Sequence, residues 1–252
     1  MAITDQDIII YISCHDDESE QMAKELAESE LLPGQKIIVK NSRSVLFENQ
    51  TFDYMAANRS QWQNKRFVGL VSYKYKEKTF QIPPNILEKI NQDEAKSNMY
   101  YIAHCIFQKK KLNDMKLSLA NASTIQHSVY FLLAWMRLGS MFDIPEDILL
   151  HIDLPFFAYN YWIADIPTLT SYLEFYSSVK HLVFNDDKLK QYLNQNSLYD
   201  GKLSEQVLIE MSGKPYYTIH PFLFERLPGL FSVLCAKTTK LIGFVMNYPL
   251  HD

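Results

Sequence analysis

Four short apolar runs, spaced by helix-length stretches, constrain the fold of this chain more than any other feature of its sequence. They are "DIIIYIS" (7–13), "KIIVK" (36–40), "RFVGLVSY" (66–73) and "MYYIAHCIF" (99–107), all rich in β-branched and aromatic residues. The first is continuous rather than alternating, the pattern of a strand covered on both faces. "DDESEQMAKELAES" (16–29) follows it, with Met22, Ala23, Leu26 and Ala27 at helical spacing and acids in its first turn. A second helix is expected over 51–63, and a third opens at Pro83 and Pro84 and runs to about residue 96. Strands near 8–13, 36–40, 67–73 and 99–107 alternating with helices imply a mainly parallel sheet joined by right-handed crossovers.

The second half reads differently. "QKKKLNDMKLSLANAS" (108–123) is linker-like, and a helix is expected over 123–138 with Ile125, Val129, Leu132, Leu133 and Met136 on one face. His127 falls on the polar side of that helix and is expected at the surface. "LPFFAYNYWIA" (154–164) reads as a strand, 167–183 and 186–195 as helices with "NDD" capping the second, and 220–236 as aromatic and helical. The expected fold class is therefore α/β. A single domain spans 1–252, with a Rossmann-like half (1–107) and a helical, aromatic-rich half (123–252).

Charge and motif content narrow the function. A net charge of −4 and a pI near 6.0 lack the basic excess of a nucleic-acid binder, so any anion site has to be local. With 7 glycines the chain carries no GxGxxG and no GxxxxGK[ST] loop. There is no HExxH, no paired His/Cys spacing and no GxSxG elbow either. Cys14, Cys105 and Cys235 are too far apart for a metal pair and are expected as buried, reduced thiols. "VYFLLAWM" (129–136) is far short of the roughly 18 residues of a spanning helix, and "MAITDQDIII" shows no secretory pattern. The expectation is a cytoplasmic protein without a transmembrane segment.

In an open parallel sheet, ligands bind beyond the carboxyl ends of the strands. The first strand ends in "SCHDD", which places Ser13, His15, Asp16 and Asp17 before a helix. These residues suit helix capping, and equally contact with a base or ribose. The third ends in "SYKYKEK". Strand alternation would put Lys74, Lys76 and Lys78 on one side, with Lys74 nearest the buried part and the other two progressively further into solvent. The row is either a solvated edge that resists aggregation or charge neutralisation for an anionic ligand.

Three further blocks bear on the choice: "WQNKRFVGLVSYKYKEK" (62–78), "FFAYNYWIADIPTLTSYLEFY" (156–176) and "YYTIHPFLFERLPGLF" (216–231). In content and order they resemble a family of polysaccharide-building glycosyltransferases found in bacterial capsule and exopolysaccharide loci and in large DNA viruses. The resemblance implies a GT-A-like fold that moves a sugar from a nucleotide-diphosphate donor to a growing glycan. It departs from the metal-dependent pattern of the wider superfamily, because the third strand ends in lysines where others place acids. The expectation is therefore no cofactor, with lysine ammonium groups standing in for a divalent ion.

On this reading Ser13, His15 and Asp17 would meet the nucleotide, and Tyr73 and Lys74 the diphosphate. The acceptor would lie against the C-terminal half, whose aromatics suit sugar stacking, with Tyr159, Asn160, Tyr161 and Trp162 as the candidates and Arg226 as a further substrate-binding residue. Glu225, flanked by apolar residues in "FERLP", is the candidate base, and Asp153 is the second. Glu225 also fits a structural pair with Arg226. The alternative function is a non-catalytic protein of the same fold that binds a glycan or a partner.

Overall fold

Ile8–Cys14 forms β1, and every one of its side chains is buried. It pairs in parallel with β2 (Gln35–Lys40) on one edge and with β3 (Phe67–Ser72) on the other. The computed structural model describes residues 2–79, 85–102, 123–124, 126–150 and 160–242. Within it β4 (Met99–Ile102), β5 (Trp162–Asp165) and β6 (Thr239–Ile242) complete a six-stranded sheet of order β2-β1-β3-β5-β4-β6. The sheet is mixed but mostly parallel: β5 runs against both β3 and β4, while β4 and β6 run together. Strand–helix alternation predicts the parallel pairs of β1 with β2 and β3 but not that of β4 with β6. It does not encode the insertion of β5 between β3 and β4.

Period-two alternation divides the core into two layers. Ile9, Tyr11, Val68, Leu70, Met99, Trp162 and Ala164 face one side, under the helices of the second half. Ile8, Ile10, Ile12, Val71, Tyr100 and Ile163 face the other, packed with Ala23 and Leu26 of α1 (Asp17–Glu28) and Ile86 and Ile90 of α4 (Ile86–Asn91). Asp16 caps α1 by accepting from the Ser19 amide at 2.8 Å, and Ser19 Oγ returns the contact to the Asp16 amide at 2.9 Å. The expected helix over 51–63 is shorter, α2 (Thr51–Ala57) followed by a 3-10 turn at Arg59–Gln61. Between β3 and α4 lies a single helical turn, α3 (Tyr75–Lys78).

The second half supplies α5 (Val129–Met141), α6 (Glu146–Leu149), α7 (Ile166–Asn185), α8 (Asp187–Leu193), α9 (Glu205–Ser212) and α10 (His220–Leu234). Asp186 caps α8, accepting from the Leu189 amide at 2.7 Å, as "NDD" suggests. The face expected of α5 is only partly right: Leu132 and Met136 do pack against the core. Phe131, Ala134, Trp135 and Leu138 point inward, while Val129 and Leu133 are 54% and 38% exposed. A helix apolar nearly all round has no periodicity to read. Its orientation is set by the aromatics, with Trp135 Nε1 donating to the Leu149 carbonyl at 3.1 Å. His127 is likewise buried rather than at the surface, stacked on Phe222 at 3.8 Å between ring centroids. Cys14 is buried, but Cys235 is exposed; Cys105 lies outside the described residues. No helix among the described residues is long and apolar enough to cross a membrane.

The edge strand β6 is held by one buried carboxylate. Asp93 accepts from the Ser97 amide at 2.8 Å, Tyr100 Oη at 3.0 Å and Lys240 Nζ at 2.9 Å. Burial alone would raise this carboxyl's pKa. The Ser97, Lys240 and Tyr100 donors outweigh it and hold the group well below the usual carboxylate range. A depressed folded-state pKa stabilises fully above the unfolded value of about 3.9 and less as pH falls below it. Asp93→Asn is expected to lose about 1.5–3 kcal/mol in urea unfolding at neutral pH. The gap to the parent protein should narrow on acidification through pH ~4. A gap that does not change with pH would contradict this role.

Candidate active site

The chain leaves β1 for β2 on one side and reaches β3 on the other, so the crevice between β1 and β3 is a topological switch point. Ser13 pairs with Ser72 at its floor, and the Tyr73 amide gives the last ladder bond to the Ser13 carbonyl at 3.0 Å. A cleft of about 330 Å³ opens above these strand ends. Asn41, just past β2, donates to Ser13 Oγ at 3.2 Å and to Thr51 Oγ1 at 2.9 Å, which fixes the floor hydroxyl. Ser72 Oγ shares a short hydrogen bond with Tyr161 Oη.

His15 stands edge-on to Tyr73, with ring centroids 5.3 Å apart, and its Nε2 lies 3.3 Å from Asp16 Oδ2. Arg43 approaches the same carboxylate oxygen at 3.7 Å and lines the cleft. Burial pushes the Tyr73 phenol up to about 12, with the Asp16 charge adding to it. Asp17 does not join them. It begins α1 with its side chain 99% exposed, pairing with Lys40. The helix turns it away from the cleft, so the acid beside His15 is Asp16.

The lysine row is not a strand. β3 stops at Ser72, and α3 is closed by the Lys78 amide donating to the Lys74 carbonyl at 2.9 Å. Residues four apart on a helix share a face, so Lys74 and Lys78 both line the cleft while Lys76 is exposed. The Lys74 ammonium lies 5.4 Å from the centroid of the Tyr73 ring, and that of Lys78 the same distance from Tyr161. The expectation of lysines receding progressively into solvent is therefore corrected. "YKYKEK" satisfies both alternation and the i,i+4 spacing, and where β3 ends decides between them.

Across the cleft α10 presents Glu225, whose side chain remains 18% exposed. Burial raises the pKa of this carboxyl. Arg226 opposes the shift, Glu48 reinforces it and Lys78 opposes it. Arg226 Nη1 donates to Glu225 Oε2 at 3.0 Å and Arg226 Nε to Ser123 Oγ at 3.1 Å. Arg226 is thus a buried support behind Glu225 and not a cleft residue. The structural pair in "FERLP" is present, and it leaves the Glu225 carboxyl facing the cleft.

The described part of the aromatic block lies beneath the cleft and lines none of it. Trp162 faces the large core, stacked on Phe52 at 5.6 Å, and Asn160 is buried with Nδ2 donating to Asn49 Oδ1 at 2.9 Å. Neither lines the cleft, whereas Tyr161 lies beneath Lys78 and bonds Ser72. Asp153 and Tyr159 lie outside the described residues. Among the described residues no three His, Cys, Asp or Glu side chains gather as a metal site.

Arg43, Phe47, Glu48 and Tyr199 line the cleft without having been candidates in the sequence, and Tyr217 and Phe222 line it from the third block without having been singled out. Arg43 had a signal, since "KNSRS" is a polar strand end like "SCHDD". The segment Tyr199–Leu203 also had one in its Asp-Gly pair. It crosses the cleft as a strap pinned to Tyr217, whose Oη accepts from the Leu203 amide at 2.9 Å.

Gly201 is where the strap meets that ring, and a Cβ there would stand 2.3 Å from Tyr217 Oη and 2.4 Å from Cζ. Gly201→Ala is expected to lower stability by about 1–3 kcal/mol, the usual range for overpacking, and to speed hydrogen exchange at the Leu203 amide. Unchanged melting together with unchanged exchange would show that the strap is not seated on Tyr217. No protein-family model, no curated protein and no solved structure matches this chain.

Proposed function

We propose that this chain is a GT-A-like glycosyltransferase that moves a sugar from a nucleotide-diphosphate donor to a glycan acceptor. One observation carries the reading: the first and third of the blocks that resemble the polysaccharide-building family, far apart in sequence, line one cleft, and the second lies directly beneath it through Tyr161. The first brings Ser72, Tyr73, Lys74 and Lys78, the second Tyr161 beneath them, and the third Glu225 opposite. The cleft also lies at the switch point, where open α/β sheets bind nucleotides.

The donor's nucleoside would rest on Ser13, His15 and the loop after β2, with its diphosphate toward Lys74 and Lys78. In a direct displacement the acceptor oxygen bonds to the anomeric carbon as the bond from that carbon to the diphosphate breaks. The electron pair leaves with the diphosphate, and the acceptor's proton passes to Glu225. Two partly desolvated ammonium groups stabilise the departing charge more than surface lysines would, because the local dielectric is lower. No divalent ion is required for this step. A carboxyl whose pKa burial raises is well matched to accepting a proton near neutral pH.

Thermal shift across uridine, guanosine, cytidine and thymidine diphosphates tests the donor class. A ligand at 100 times its Kd should add about 2.7 kcal/mol of stability. Lys74→Ala and Lys78→Ala should each weaken binding by about 1.5–3 kcal/mol, with Lys76→Ala near neutral. Silence across the panel would favour a binding protein of the same fold over a transferase.

Glu225→Gln keeps the shape and is expected to lower transfer by roughly two to four orders of magnitude with nucleotide affinity retained. A base works deprotonated, so transfer by the parent protein should rise with pH through the raised Glu225 pKa, and the Gln variant should lose that limb. Near-normal turnover by the folded variant would remove Glu225 from the mechanism. Transfer should survive EDTA; activity lost to chelation and restored by manganese would put a metal in place of the lysines.

A further inference from the structure

One wall of the cleft is aromatic. Phe47 stacks on Tyr217 with centroids 6.1 Å apart, Tyr199 meets Tyr217 edge-on at 5.1 Å, and Tyr199 lies 5.2 Å from Phe222. Tyr199 remains 50% exposed although its ring neighbours three others, Tyr217, Phe222 and, at 6.3 Å, His127. Two of these rings are held by strained backbone: Phe47 itself has φ 49°, and Leu198, which presents Tyr199, has φ 58°. A bulky residue in the left-handed region persists only where its surroundings enforce it, and such strain gathers at ligand sites.

We infer that this wall is the acceptor subsite, where Tyr199 and its neighbours stack on the apolar C–H face of a pyranose ring. The inference rests on the transferase reading and adds to it where the second substrate stands. Pro221 and Phe222 precede Glu225 by four and three residues on α10, so all three share one face and all three line the cleft. A ring seated on Phe222 and Tyr199 therefore presents its hydroxyl groups to the Glu225 carboxyl. The nucleotide has its own surface at the strand ends, where Ser13, Ser72, Lys74 and Lys78 offer hydroxyl groups and charge beside the His15 and Tyr73 rings. A sugar is amphipathic in the matching way, with C–H groups for the rings and hydroxyl groups for the base. This subsite replaces the one the sequence suggested at Asn160 and Trp162, both of which are buried away from the cleft.

Saturation-transfer NMR with irradiation of the aromatic protons tests the assignment, with lactose, cellobiose and maltose as probes and uridine and guanosine diphosphate titrated separately. The parent protein should transfer saturation to the C–H protons of one ring face. Tyr199→Ala should weaken that disaccharide about tenfold, as expected for loss of one large stacking surface, while Tyr199→Phe and Tyr199→Trp keep it. Nucleoside diphosphate affinity should not change in Tyr199→Ala. Weaker nucleotide binding by that variant would assign the wall to the base and overturn the proposal. No saturation of any disaccharide, or equal saturation with and without Tyr199, would overturn it too. If the parent protein binds disaccharide through Tyr199 but no nucleotide, the subsite stands and the transferase reading falls.

Discussion

The ladder between β1 and β3 is the constraint on which the rest of the structure depends. Ile8 to Ser13 pair one to one with Phe67 to Ser72, and β2 occupies the other edge of β1. Every backbone donor and acceptor in so buried a strand needs a partner, so the register leaves no freedom. Two serines therefore end side by side, and the chain exits from both strands at the same edge. The cap of α1, the turn of α3 and the loop after β2 all start there. A site at this edge follows from topology, and side chains decide what it accepts.

Those side chains separate charge from aromatic surface. Lys74 and Lys78 stand over the β3 exit, on one face of a helical turn. Glu225 stands opposite, backed by a buried arginine bonded to Ser123. Arg226 behind the carboxyl and Lys78 before it both favour its charged form, yet burial and Glu48 keep its affinity for protons raised. A chain with net charge −4 thus concentrates cations locally, which agrees with a compact anionic ligand and not with a long polyanion.

Legibility in the sequence followed the range of the interactions. The strands of the first half could be read because burial on both faces leaves a continuous β-branched run, as in "IIIYI". Ser13, His15, Tyr73 and Lys74 could be placed because strand ends are local features. Lys78 was misjudged because its spacing fits two periods, and α5 was partly misoriented because it is apolar nearly all round. Trp162 and Tyr161 are adjacent, and alternation sends one to each core layer, Tyr161 to the layer beneath the cleft; composition does not say which. Phe47, Tyr199, Tyr217 and Phe222 meet only through tertiary packing, so no local pattern announces the wall they form.

The central claim is that the β1–β3 crevice holds a nucleoside diphosphate, and a crystal structure grown with that ligand addresses it most directly. The account predicts phosphate oxygens within hydrogen-bonding reach of the Lys74 and Lys78 ammonium groups, with the nucleoside over Ser13, His15 and the loop after β2. A nucleotide ordered elsewhere on the protein, or a crevice with no nucleotide density at saturating concentration, would contradict it.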